Sequence, residues 1–195
     1  DLFEKGKMTG SKKSIDRGKM AYTFAVGSGR LYGFMDNNPH LASYNVEYIN
    51  HPNIISRNDN VISINSAIQV DLYSQINAES MGFKQVSGNG GMFDFVLGAY
   101  WSKGGRSFIC LPSTYTTSDG VAHSKIVPFL DPGTIVTVPR QMVNFVVTEY
   151  GWVSLKGDST WARAEKLISI AHPDFRDELI AAAEKQKIWR RSSRI

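Results

Sequence analysis

One cysteine stands in the chain, Cys110, inside the apolar run "SFICLP". With no second cysteine there is no internal disulfide, so the fold must hold by packing alone, as suits a reducing compartment. Cys110 reads as a small buried hydrophobe. A catalytic thiol is the poorer reading, because nothing in the sequence sets a histidine beside it. No apolar run approaches the roughly 18 residues a membrane helix needs. The first twenty residues are charged and lack the apolar core of a secretory leader. We therefore expect a cytoplasmic protein without a membrane partner. The four histidines, His40, His51, His123 and His172, have no partners at metal-ligand spacing, so no metal site is expected. Gly-Lys-Ser/Thr and GxGxxG are also missing, which excludes the P-loop and the dinucleotide fingerprint.

Charge of one sign is scarce outside one place. The net charge is +4, and the tail "KQKIWRRSSRI" holds Lys185, Lys187, Arg190, Arg191 and Arg194 against no acid. The remainder is close to neutral, which argues against nucleic-acid binding and for a solvated, fraying C-terminus. The chain opens "DLFEKGKMTGSKK", without Met, an opening expected of a piece cut from something longer.

What is present suits one α/β domain over residues 1–195, with 42% apolar and 21% charged residues. "YTFAVGSGRLYGFMDNN" (Tyr22 to Asn38) reads as strand, Gly-Ser-Gly turn and short helix. "NVEYINHPNIISRND" reads as an extended piece, a turn at Pro52 and a helical turn or two. "NVISINSAIQVDLYSQIN" (Asn60 to Asn77) holds two strand-like runs. In the second, Ile68, Val70 and Leu72 alternate with Gln69, Asp71 and Tyr73, a half-exposed pattern. "GMFDFVLGAYWS" has helical spacing, "RSFICLPST" is a strand apolar on both faces, and "GTIVTVP" and "NFVVTEYG" are further strands. "STWARAEKLISIA" places Trp161, Ala164, Leu167, Ile168 and Ala171 on one helical stripe, capped by Ser159 or Thr160. His172-Pro173 breaks that helix, and Asp174 opens the last one. Strands interleaved with helices predict an open, mainly parallel sheet with helices on both faces.

Four places could carry chemistry. "VSGNGGMFDF" sets Gly88, Gly90 and Gly91 between a β-leaning stretch and a helix. Such a turn either presents backbone amides to an anion at the helix dipole or is simply tight. In "SKGGRS", Lys103 with Gly104-Gly105 is a helix terminator or an anion contact. Asn50 before His51-Pro52 is a turn former, or a neutral donor to a carbonyl oxygen that gains charge during acyl transfer. Glu149 at a strand end is either catalytic or, the reading we prefer, the cap of a neighbouring helix.

Six segments resemble one family together and in order: "YINHPNII", "VISINSAIQVDLYSQINAES", "SGNGGMFDFVLGAYWSKGGRS", "SKIVPFL", "VVTEYGWVSLKG" and "RAEKLISIAHPDFRDEL". They look like the C-terminal half of the acetyl-CoA hydrolase/transferase family, nearest the branch that uses 4-hydroxybutyrate. The resemblance implies a CoA-transferase-like α/β fold. It implies transfer of coenzyme A from acetyl-CoA to a small carboxylate through a glutamyl-CoA thioester, with no covalently bound cofactor. Hydrolysis of acetyl-CoA and a non-catalytic coenzyme A-binding domain are the alternatives. By the same resemblance the oxyanion donors fall on Asn50 and Gly91, and coenzyme A contacts on Ser87, Gly88, Asn89, Gly90, Gly91 and Lys103. Ser87 stands where the wider family often has Asn, although its hydroxyl can still bond a pantetheine amide. Lys103 follows the glycines at a shorter spacing than in the acetate-specific branch. The resemblance puts the nucleophilic glutamate just upstream of Asp1, with Glu4 on a helical position beyond it. It also implies an N-terminal domain of the same enzyme as partner, and a homo-oligomer at full length.

Overall fold

A computed structural model of the chain describes residues 1–189. Following the chain, β1 (Met20–Tyr22) leads through the Gly27–Gly29 turn into α1 (Gly29–Met35), and β2 (Leu41–Ser43) pairs parallel to β1. Two short helices follow, α2 (Val46–Ile49) and α3 (Pro52–Ile55). Then come β3 (Ile62–Ser66), β4 (Gln69–Asp71), β5 (Ile76–Asn77) and the hairpin β6 (Ser80–Met81) with β7 (Lys84–Gln85). The helix α4 (Met92–Trp101) precedes β8 (Arg106–Cys110), the hairpin β9 (Thr114–Thr116) with β10 (Ala122–Ser124), and β11 (Ile126–Val127). The chain ends in β12 (Phe145–Thr148), β13 (Gly151–Ser154), α5 (Thr160–Ser169) and α6 (Pro173–Lys185).

The organising unit is a four-stranded sheet in the order β13-β12-β8-β3. β3, β8 and β12 run parallel, and only β13 is antiparallel, so the expected α/β class with a mainly parallel sheet holds. Strand period decides its two faces. Ser63, Ser107, Ile109, Val146 and Val153 point to the buried side, where α4 crosses β3 and β8. Val96, Ile109, Val146, Leu155, Leu167 and Leu179 join there in one core that takes in α5 and α6. Each such side chain contributes ~1.5–3 kcal/mol by leaving water.

The other face stays open over the described residues. Ile64 is 70% and Trp152 65% exposed. Between them the Phe108 and Phe145 rings stack with centroids 4.8 Å apart, and Trp152 meets Phe145 edge-on at 5.7 Å. Cys110 lies on this face half-buried, and burial pushes its thiol pKa up. Among the described residues no helix is long and apolar enough to cross a membrane.

Four local expectations fail for physical reasons. Val46–Ile49 is helical, because the Asn45 side chain accepts from the Tyr48 amide at 2.9 Å and caps a turn. Thr134–Pro139 makes no strand. Val138 bridges Ile76 once, Thr137 spends its hydroxyl on the Ala78 amide, and Pro139 has no N–H for a ladder. Trp161 points outward on α5, and Arg163 is buried in its place, donating to the carbonyls of Asp158 and Arg140. Asp71, read as half-exposed, is fully buried. Its carboxylate accepts from the Gln75 amide at 2.8 Å and the Gln75 side chain at 2.7 Å, closing a turn in which Ser74 has φ +70°. Burial pushes its pKa up, against the pull of those N–H donors. The start of the basic tail is also ordered: Ile188 is buried and Trp189 packs on the core. Arg190, Arg191 and Arg194 lie outside the described residues.

Glu149 caps no helix. Its carboxylate accepts from Ser113 Oγ at 2.6 Å and the Ser113 amide at 2.8 Å, fastening the loop after β8 to the end of β12. The Ser113 hydroxyl bond holds the Glu149 carboxyl below its ordinary pKa. A depressed pKa stabilises the fold above the ordinary glutamate value, and that contribution disappears as pH falls through the folded-state value. In acid denaturation, Glu149→Gln should therefore flatten the loss of stability below about pH 4.3; an acid limb parallel to the parent's would refute the clamp. Asp71→Ala leaves the half-buried Gln75 amide without its acceptor and should cost ~1 kcal/mol in urea unfolding, whereas an unchanged midpoint would contradict this role.

Candidate active site

The glycine-rich turn is the entry to α4. Gly91 is its N-cap, with no side-chain cap, and Gly90 sits at φ +52°, a backbone that glycine adopts without strain. The amides of Gly90, Gly91 and Met92 find no acceptor among the described residues. Nothing lies within 4 Å of where a Cβ on Gly88 or Gly90 would stand. This leaves N–H groups without a protein acceptor, among the described residues, at the positive end of a helix dipole.

Asn50 comes to the same point from a different part of the chain. It is the C-cap of α2, its backbone N–H bonded to Val46 O, and its side-chain amide has no partner among the described residues. A Cβ on Gly91 would lie 2.6 Å from Asn50 Nδ2 and 3.2 Å from the Phe95 ring. Only glycine lets that amide rest on the turn. The neighbouring residues fix the approach. His51 accepts from the Asn53 amide through Nδ1 at 3.3 Å, capping α3, and Pro52 occupies its first turn. α3 then packs on α4 at Gly98, where a Cβ would lie 2.6 Å from the Ile55 side chain. On the outer side of α2, the hydroxyls of Tyr44 and Tyr48 both donate to Asp16 at 3.1 Å, tying the N-terminal segment to this helix.

A cavity of about 570 Å³ opens beside the Asn50–Gly91 contact. Its walls are the end of β1 with Phe24, the α2 residues Val46 and Ile49, and the α4 residues Met92 and Phe95. Asn65, near the C-terminal end of β3, also lines it and donates through Nδ2 to Ser63 Oγ at 2.7 Å. Ligands of open α/β sheets gather at the C-terminal ends of parallel strands, and β1 and β3 both end here. Sequence reasoning passed over Asn65. The available signal was "ISINS", where Ser63 and Asn65 put two polar residues on the inward face of a strand.

Other predicted site residues stand at varying distances from this centre. Ser87 begins the turn, with its amide bonded to Glu79 O and its hydroxyl donating to Ala78 O at 3.2 Å. Gly88 and Asn89 are exposed. Lys103 lies past the far end of α4, ~15 Å from the turn along the helix axis. There its carbonyl accepts from Asn60, and Gly104, at φ +74°, and Gly105 close the helix, with a Cβ on Gly105 only 2.1 Å from Ala99 O. The structure thus joins Asn50 to Gly91 and holds Lys103 apart from both. His51 and His172 are helix N-caps, while His40 lies against Phe3 and His123 against Tyr115.

Residues 27–183 match the family model described as the acetyl-CoA hydrolase/transferase C-terminal domain. The chain is 55% identical over 194 residues to a probable butyrate:acetyl-CoA coenzyme A-transferase of Syntrophomonas wolfei, covering all of this chain and 43% of that protein. It is 46% identical to the 4-hydroxybutyrate coenzyme A transferase of Clostridium kluyveri, over 95% of this chain and 43% of the relative. The crystal structure of RipA from Yersinia pestis superposes with a TM-score of 0.88 at 46% identity, covering 97% of this chain and 42% of that one. The chain therefore spans less than half the length of these relatives. Matched across most of its length by that domain and by relatives of nearly half or greater identity, the chain belongs to the acetyl-CoA hydrolase/transferase family.

Proposed function

We propose that this chain is the C-terminal domain of a CoA-transferase and forms the oxyanion pocket and part of the coenzyme A site. The reaction moves coenzyme A between acetyl-CoA and a four-carbon acid, butyrate or 4-hydroxybutyrate. The relatives' names support that choice. A glutamate in the N-terminal part of the enzyme adds through its carboxylate oxygen to the thioester carbonyl carbon. The carbonyl oxygen carries the negative charge until the C–S bond breaks, which leaves an acyl-glutamyl anhydride and coenzyme A thiolate. The thiolate then adds to the glutamyl carbonyl and expels the first acid as its carboxylate, and the resulting glutamyl-CoA thioester passes coenzyme A to the acceptor acid by the reverse steps. One observation carries this reading: the Asn50 amide lies against Gly91 at the mouth of α4, and neither that amide nor the first N–H groups of the helix have a partner among the described residues. Two converging neutral donors suit an oxygen that gains charge only in the tetrahedral state.

Coenzyme A lies along the Ser87–Gly91 turn in this scheme. Lys103, at the other end of α4, meets only a distal part of it, such as a phosphate. The partner N-terminal domain takes up the apolar sheet face of Ile64, Phe108, Phe145 and Trp152, whose exposure is costly in a finished protein. The assembled enzyme is a cytoplasmic homo-oligomer. In the full-length enzyme, Asn50→Ala and Gly91→Val should each lower kcat on the order of 100-fold, the usual cost of one oxyanion donor. Release of coenzyme A from acetyl-CoA should depend on the acceptor acid. Turnover at the parent's rate in both variants, with their melting temperatures intact, would refute the assignment.

A further inference from the structure

Phe24 is 77% and Val46 56% exposed, yet both face the cavity beside Asn50 and Gly91. Apolar side chains left open around a concave space next to a reacting centre are usually there for a ligand. We propose that this cavity holds the acyl group, and that its uncharged walls select short aliphatic monocarboxylates against dicarboxylates. The inference rests on the transfer reaction proposed above and adds which residues choose the acid.

The geometry runs from the oxyanion outward. A carbonyl oxygen seated between the Asn50 amide and the Gly91 N–H puts its acyl carbon at the cavity mouth. The chain attached to that carbon then runs along Val46 and Ile49 of α2 or Met92 and Phe95 of α4. At about 570 Å³ the cavity falls in the range of small-molecule sites, with room for a four-carbon chain and the thioester arm together. Among the described residues its lining contains no Lys, Arg, His, Asp or Glu. The positive potential at the head of α4 is already engaged by the thioester oxygen. On the walls this domain supplies, a second carboxylate at the tail of the acid would meet hydrocarbon and the neutral polar groups of Tyr22, Thr23 and Asn65, and a charge taken from water without a counter-ion is strongly disfavoured. Butyrate and succinate have the same number of carbons, so charge, not length, separates them here. A terminal hydroxyl, by contrast, is neutral and can bond to Asn65.

The test uses the full-length enzyme, with kcat/KM measured for butyryl-CoA and succinyl-CoA against acetate as acceptor. Butyryl-CoA should lead by at least about 10-fold. Val46→Lys and Phe24→Arg each bring a cation to an exposed wall position, and each variant is checked for an unchanged melting temperature. In them the succinyl-CoA value should rise and the butyryl-CoA value fall, narrowing the ratio about 10-fold. Equal use of both thioesters by the parent overturns the inference, and so does an unmoved ratio in folded variants. Transfer without preference defeats this inference alone, whereas no transfer with any thioester defeats the proposed function as well. The parent's preference is read without either variant, so a misfolded substitution leaves the inference open to refutation.

Discussion

The site depends on one steric constraint: α3 must lie close enough to α4 for the Asn50 amide to touch the glycine that starts α4. Both contacts of that approach pass through positions where a side chain would not fit. Gly98 receives Ile55 in the body of the helix, and Gly91 receives Asn50 at its end. The helix pair works as a short lever, since the seat of Ile55 sets the angle at which the His51-capped α3 leaves α2. Close packing makes this more than coincidence. Interiors are dense enough that a displaced helix carries its neighbours with it, so the donor pair is only as well placed as the Ile55–Gly98 contact.

Energetically the domain is unequal across its central sheet. One side buries Ile109, Val146 and Val153 under α4 with α5 and α6 in the same core, while the other shows Ile62, Ile64 and Trp152 to solvent. Surface of that kind weakens solubility and adds nothing to stability until it is covered. The Asn50–Gly91 contact is supported from the well-packed side, since α4 crosses β3 and β8 there. The two groups can therefore be fixed before anything closes over the open face, and in the proposed reaction preorganisation of this kind would let electrostatic stabilisation act without rearrangement.

How far the sequence could be read depended on whether a signal was local. α4, β8, β12 and the breaks at Gly104 and Pro173 follow from apolar spacing and from residues with fixed backbone preferences, and they stand where expected. Periodicity misled where a polar residue was satisfied inside. Asp71 alternates like a solvent-facing residue but spends its carboxylate on Gln75, and the buried Arg163 finds carbonyl acceptors that no spacing shows. Trp161 shows the converse, since it fits the apolar stripe of α5 yet points outward while Arg163 goes in. The meeting of Asn50 with Gly91 joins residues 41 positions apart (91 − 50 = 41). Composition and spacing left both as possible turn formers, and only the ordered family likeness put them at one oxygen. The cavity and Asn65 were hidden for the same reason, because a wall drawn from β1, α2, β3 and α4 has no linear signature.

Under the proposed transfer, the choice of donor follows from the charge history of the substrate. An acid acceptor and a thioester differ in the ground state, one an anion and the other neutral, but in that proposal both reach an oxyanion at the same place. A lysine at the mouth of α4 would hold the free carboxylate firmly before reaction and so deepen the ground state along with the transition state. Binding of that uniform kind lowers KM and does nothing for kcat. Amide donors attract a neutral carbonyl weakly and an oxyanion strongly, so their contribution grows as the bond forms. In this domain the near donors are an asparagine side chain and a glycine backbone, and the basic residue of the Lys-Gly-Gly stop stands a helix length away. Under that proposal, moving positive charge from Lys103 to the turn would tighten the anionic acceptor before it reacts, so on that half of the exchange part of the gain would be ground-state affinity.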